Sequence, residues 1–258
     1  MSFMDFLQQG INTLFACLPR KRPTASLANQ VKLIAHRGAH DKQRHVIENT
    51  RQAFEQALVL GCWGIEFDVH ATGDDVLVVN HDPTLSRLWG HDMAIRDMTF
   101  AELRALVPDM PSLEEMVSLY GRKMHLFIEL KAPFAHEKKL HDTLRSLTPC
   151  EDYHLLSLDA PLFAGLTLFP KRSLLLVPEH NNVSAFCRLA IQRQYGGVMG
   201  HFLLLTHKKI RWLREAGLKV GVGFVDSRYS LYREINRGVY WVFSNKSALV
   251  SRILKDIQ

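Results

Sequence analysis

Short apolar runs alternate along this chain with longer stretches in which apolar residues return every three or four positions. The short runs predict buried strands at Val31–Ala35, Gly64–Val69, His125–Leu130, Tyr153–Ser157, Ser173–Val177, Gly197–Met199, Lys219–Phe224 and Tyr240–Phe243, with an extended piece at Val76–Val79. Between them the helical spacing predicts helices that include Thr50–Leu60, Thr99–Leu106, Ser112–Tyr120, Glu137–Leu147, Val183–Gln194 and Ala248–Ile257. Alternation of this kind builds a parallel sheet. An open doubly wound sheet alternates similarly, but eight units in 258 residues favour closure into a (β/α)₈ TIM barrel. The expected division is 1–30 as an N-terminal amphipathic helix and basic linker, and 31–258 as one barrel with a short helical insertion after the second strand.

The N-terminal segment stands apart. Phe3, Phe6, Leu7, Ile11, Leu14, Phe15 and Leu18 recur at helical spacing, and Arg20, Lys21 and Arg22 follow. The early Asp5 and the late basic cluster are the reverse of a secretory signal, and the stretch is shorter than the ~20 apolar residues of a membrane span. Two readings stand level: a helix that closes the bottom of the barrel, or an amphipathic helix lying on a membrane through residues 3–22. The four cysteines are scattered with no C-x-x-C pair, which reads as reduced thiols in a cytoplasmic protein, with peripheral contact at the inner membrane surface under the second reading. A net charge of +6 suits anionic partners, yet no dense basic stretch with interleaved aromatics points to nucleic acid.

Polar residues gather where a barrel carries its chemistry, at the C-terminal ends of strands. His36-Arg37-Gly38 ends the first strand, His81-Asp82-Pro83 ends the extended piece, and Glu66/Asp68 and Glu129/Lys131 are pairs two residues apart, so each pair projects from one face. Three converging carboxylates repel one another unless a cation neutralises them, and oxygen ligands suit one divalent cation, Mg²⁺ or Ca²⁺. A metal there polarises a phosphoryl oxygen, Arg37 and Lys131 offset the same charge, and two histidines divide the proton work. The competing explanation is a buried salt bridge of Glu66 and Asp68 with Lys131 or Arg37.

The motifs taken in order, "LIAHRGAH…IENTRQAFEQAL", "GIEFDVHATGDDVLVVNHDPTLSR" and "FIELK", resemble the glycerophosphodiester phosphodiesterase family. The resemblance runs from about Val31 to the C-terminus and is most specific in its first third. It implies His36 and His81 as the acid/base pair, Glu66, Asp68 and Glu129 as metal ligands, and Arg37 and Lys131 on the phosphate. It further implies release of sn-glycerol 3-phosphate and an alcohol from a small glycerophosphodiester, or action on a lysophospholipid. Attack by water and passage through a cyclic phosphate both fit these motifs. A non-catalytic protein that binds phosphodiester head groups is the remaining alternative, and no catalytic position is lost in its favour.

Three departures stand out: Ile47 where the family usually has Pro, Phe224 for its Trp, and Asn245 for its Asp. All three are expected to lie outside the acid/base pair and the metal ligands. Glu48 and Asn49 are expected to cap the first helix and hold the loop, with support of the site residues as the alternative; Gly73 is expected to give the turn at Asp74 and Asp75 its freedom; and Phe224 and Trp241 are expected to pack in the core, with lining of the pocket as the alternative. Apart from His36 and His81, the histidines are expected at the surface.

Overall fold

The computed structural model describes Gly10 and residues 13–258. Eight parallel strands close on themselves: β1 (Lys32–His36), β2 (Gly64–Ala71), β4 (His125–Leu130), β5 (Tyr153–Ser157), β6 (Leu174–Leu176), β7 (Gly197–His201), β8 (Lys219–Gly223) and β9 (Trp241–Ser244). Around the ring the order is β1-β9-β8-β7-β6-β5-β4-β2, and β1 also pairs with β2. The expected (β/α)₈ barrel is present. β3 (Leu77–Val79) turns back antiparallel on β2 and lies outside the ring.

The helices are α1 (Ala25–Ala28), α2 (Arg51–Val59), α3 (Ser86–Trp89), α4 (Phe100–Leu106), α5 (Leu113–Tyr120), α6 (Glu137–Leu144), α7 (Ala160–Gly165), α8 (Val183–Arg193), α9 (His207–Glu215), α10 (Arg228–Asn236) and α11 (Ser247–Ile257). Their starts are written locally. Thr50 caps α2 by accepting from the Ala53 amide, and Thr99 and Ser112 form capping boxes with Glu102 and Glu115. Each such cap is worth ~1 kcal/mol.

Strand alternation divides the apolar residues into two cores. Ile34, Phe127, Leu156, Leu175, Met199 and Phe243 point inward and fill the barrel, while Leu33, Ile65, Phe67, Leu126 and their like meet the helices. Burying each large side chain of this kind stabilises by ~1.5–3 kcal/mol. A third cluster (Val78, Leu85, Ile95, Met98, Leu103, Val107 and Met110) gives the insertion between β3 and α5 its own small core.

Residues 13–18 do not lie at the bottom of the barrel. Residues 13–17 are helical, and Phe15 packs edge-on against Phe202 (5.6 Å) in the loop after β7, at the C-terminal end of the strands. The Arg233 guanidinium sits over both rings. Leu14 and Leu18 are left exposed. Of the predicted apolar stripe, Phe3, Phe6, Leu7 and Ile11 lie outside the described residues. Among the described residues, no helix is long and apolar enough to cross a membrane.

Two local expectations fail. At the turn after β2 it is Asp75 (φ 62°), not Gly73, that adopts the left-handed backbone, while a Cβ on Gly73 would lie 2.9 Å from the Arg96 carbonyl. His125 and His154 are buried at the lower end of the barrel, 2.7 Å apart between Nε2 and Nδ1, with His125 stacked on Trp63. Trp241 packs against the same rings, as core.

Candidate active site

Register brings the predicted residues together. His36 stands beside Glu66 across β1 and β2, and Asp68 stands beside Glu129 across β2 and β4. Being on inward positions of neighbouring strands, the three carboxylates offer one oxygen each within 4.8 Å of one another, all buried. Lys131 Nζ lies 2.7 Å from Asp68 Oδ1 and also contacts Glu129, and Arg37 Nε lies 3.5 Å from Asp68 Oδ2. The salt bridges considered as the bland alternative thus exist, but they leave the cluster incompletely paired. Glu66 Oε1 is buried with no partner among the described residues, although Oε2 accepts from the Arg37 amide at 3.1 Å.

The electrostatics follow from that crowding. Burial, then the charges of Asp68 and Glu129, pushes Glu66 well above the usual carboxylate range. Burial and Asp68 likewise raise Glu129. Burial acts upward on Asp68 too, but Lys131 and Arg37 outweigh it and hold that carboxyl at about 2. A divalent cation removes this frustration, since it meets an unpartnered buried oxygen and three hard ligands at once. The donor set fits such an ion.

Both histidines are tethered through Nδ1. His36 Nδ1 donates to Asn245 Oδ1 (2.7 Å), because the Asn245 amide nitrogen is turned toward the Asp226 carboxylate. Nε2 of His36 is therefore a free acceptor, 3.6 Å from Glu66 Oε2. Burial, helped by neighbouring Arg37, lowers His36 to about 3, so the ring is neutral. His81 Nδ1 instead faces the Asp82 carboxylate at 2.7 Å, and Asp82 in turn pairs with Arg87. Burial lowers His81 as well, while Asp68 and Asp82 act upward.

The backbone that carries these groups is strained. Arg37 (φ 54°) and Asn49 (φ 59°) occupy the left-handed region, which costs a non-glycine residue of order 1 kcal/mol or more. Gly38 (φ 76°) continues the turn, and a Cβ there would lie 2.8 Å from Ala53. Glu48 and Asn49 do not cap α2, which Thr50 does. Glu48 accepts from Arg37 (2.8 Å) and Arg87 (2.7 Å), and Asn49 Nδ2 donates to Asp68 Oδ2 (2.9 Å).

A cavity of about 300 Å³ opens onto His36, Arg37, Glu66, His81, Glu129 and Lys131. Its opposite wall is mostly apolar, built from Leu156, Val177, Met199, Leu204 and Phe224 among others. Phe224 therefore lines the cavity, with its ring centroid 4.5 Å from that of His36. The departure at Asn245 also proves to touch the histidine directly. A larger hollow of about 780 Å³ lies between the insertion and α5, away from these groups.

Sequence reasoning missed Asp82 as the partner of His81, Arg87 and Asp226 as the groups that hold Asp82 and Asn245 in turn, and His201 in the cavity wall. Asp82 was readable, since it adjoins His81 in the chain. Asp226 comes from the loop after β8 and His201 from the end of β7, and neither has a local signal.

Comparison with known proteins matches these features. Residues 36–155 match the model of the glycerophosphoryl diester phosphodiesterase family. A glycerophosphodiester phosphodiesterase of Caldanaerobacter subterraneus is 38% identical over 112 residues, 39% of this chain and 45% of that protein, so the match spans less than half the relative's length. One from Bacillus subtilis is 24% identical over 88% of this chain and 87% of its own. Among solved structures, the Thermotoga maritima glycerophosphodiester phosphodiesterase superposes with a TM-score of 0.73 at 23% identity, covering 86% of this chain and 98% of that one. An Oleispira antarctica phosphodiesterase, solved in complex with the product sn-glycerol-3-phosphate, gives a TM-score of 0.71 at 21% identity, covering 90% of this chain and 100% of that one. The matched segment, just under half of the chain, contains both tethered histidines and all three clustered carboxylates, and the barrel extends the likeness: this chain is similar to the glycerophosphoryl diester phosphodiesterase family in its site and in its fold.

Proposed function

We propose that this protein hydrolyses small glycerophosphodiesters to sn-glycerol 3-phosphate and an alcohol, with one divalent cation, Mg²⁺ or Ca²⁺, held by Glu66, Asp68 and Glu129. The observation that carries this reading is the buried carboxylate trio, with its unpartnered Glu66 oxygen, set between two histidines tethered through Nδ1. When bound, the cation supplies Lewis-acid polarisation of a phosphoryl oxygen. Arg37 and Lys131, already at the carboxylates, bind the phosphate and offset charge developing on it. His36, held neutral with Nε2 free, accepts the proton of the attacking oxygen. His81 gives a proton to the departing alkoxide, and Asp82 stabilises its imidazolium form. General acid–base catalysis of this kind is worth ~10²–10⁴-fold, so His36→Ala should lose turnover on that scale.

A second reading keeps the chemistry and replaces the substrate with a lysophospholipid taken from an anionic membrane surface. It is favoured by the apolar cavity wall and by exposed Leu14 and Leu18 beside Arg20, Lys21 and Arg22. Removal of residues 1–22 should then weaken binding to anionic vesicles and leave turnover of glycerophosphocholine intact.

The deciding experiment is a panel of glycerophosphodiesters and lysophospholipids assayed with Mg²⁺, with Ca²⁺ and with no added cation. Cation-dependent release of glycerol 3-phosphate supports the first reading, and release confined to lysophospholipids supports the second. Intact protein inert toward every member contradicts both.

A further inference from the structure

His201 ends β7, which lies directly across the ring from β2 and its carboxylates. Its ring borders the cavity on the apolar side. The Leu203 amide donates to Nδ1 at 3.3 Å, so Nδ1 is the acceptor nitrogen and the proton sits on Nε2. That Nε2–H is buried and has no acceptor among the described residues. A buried donor left without a partner is costly, and a ligand pocket typically carries a few such groups to orient its occupant among apolar walls.

The ring is also fixed in place. It stacks on Phe202 with centroids 4.6 Å apart and planes at 27°. The loop beyond it is anchored by buried Arg237, which donates to the Phe202 carbonyl (3.3 Å) and contacts that of Leu205 while paired with buried Glu234. The other polar groups on this wall, Glu179 and His180, are exposed at the rim.

We propose that His201 is a specificity-determining residue, whose Nε2–H donates to an acceptor oxygen carried by the alcohol group of the substrate. A ligand spanning the cavity, with its phosphate at Arg37 and Lys131, turns the far part of its alcohol toward β7. The protein then prefers alcohols bearing a hydroxyl or carbonyl oxygen there, such as glycerol, over choline, whose far end offers no acceptor. In its substrate class this rests on the diesterase reading above.

The test measures binding rather than turnover. In a His36→Ala background with Mg²⁺, titrate glycerophosphoglycerol and glycerophosphocholine calorimetrically against His201, His201→Asn and His201→Gln. Asn keeps an acceptor for the Leu203 amide but lacks the distal donor, whereas Gln restores a donor near the Nε2 position. Asn should weaken glycerophosphoglycerol by roughly tenfold and leave glycerophosphocholine unchanged, and Gln should recover part of the preference. An unchanged preference in a folded Asn variant, an equal loss for both ligands, or binding of neither ligand to the His201 protein overturns the proposal. Turnover by the unmodified protein, followed in parallel, reports separately on the diesterase reading.

Discussion

At Asn245 a single amide decides the state of His36. A carboxylate there would draw a proton onto the ring, whereas the amide accepts only the Nδ1–H and leaves burial to keep the imidazole neutral. A base of depressed pKa is lost only when pH falls through that folded pKa, so the acidic limb of the rate profile should lie well below 6.5. Asn245→Asp places a negative charge on the ring and should move that limb upward by about one pH unit or more. A pH–kcat/KM profile that does not move would separate Asn245 from the proton chemistry. The residue scale is also where the sequence was most legible. Glu66, Asp68 and Glu129 are carboxylates inside apolar strands, and two-residue spacing on adjacent strands suffices to predict that they converge. The partners of His36 were less legible, because Asn245 meets it, and Asp226 meets Asn245, only after the ring has closed through β8 and β9.

At the element scale, strand and helix positions followed the periodicity closely. β4 and β5 occupy the predicted residues, and the helices differ from expectation by a few terminal residues. What periodicity did not reveal is the paired histidines at the lower end of β4 and β5. A histidine on an inward position reads as polar, and only the surrounding Trp63, Phe127 and Trp241 explain why these two are buried. Burial lowers His125 to about 4 and His154 to about 3, so the folded protein binds fewer protons there than the unfolded chain. Stability from this source is complete above pH 6.5 and declines as pH falls toward 3, by up to about 1.4 kcal/mol per pH unit for each group. Thermal melts between pH 7 and 4.5 should therefore fall before carboxylates titrate, and His154→Gln should flatten that slope. An equally steep slope in the variant would assign the acid sensitivity elsewhere.

Across the whole molecule, the barrel gathers charge on the β1–β2–β4 side of one mouth and apolar surface on the β5–β8 side. Closure produces that division, and no segment of the sequence displays it alone. The charged side is strained without a cation, so Mg²⁺ or Ca²⁺ should raise the melting temperature of the protein, and Glu66→Gln should remove the increment while lowering stability little or not at all in the absence of metal. The most direct measurement follows divalent-ion binding and glycerol 3-phosphate release in one metal-stripped sample as Mg²⁺ or Ca²⁺ is restored. Saturation of a single site and the return of turnover should coincide, and both should be lost in Glu66→Gln. Turnover that persists in the stripped protein, or an ion that binds the Glu66→Gln protein equally well, would contradict a cation held by the three carboxylates.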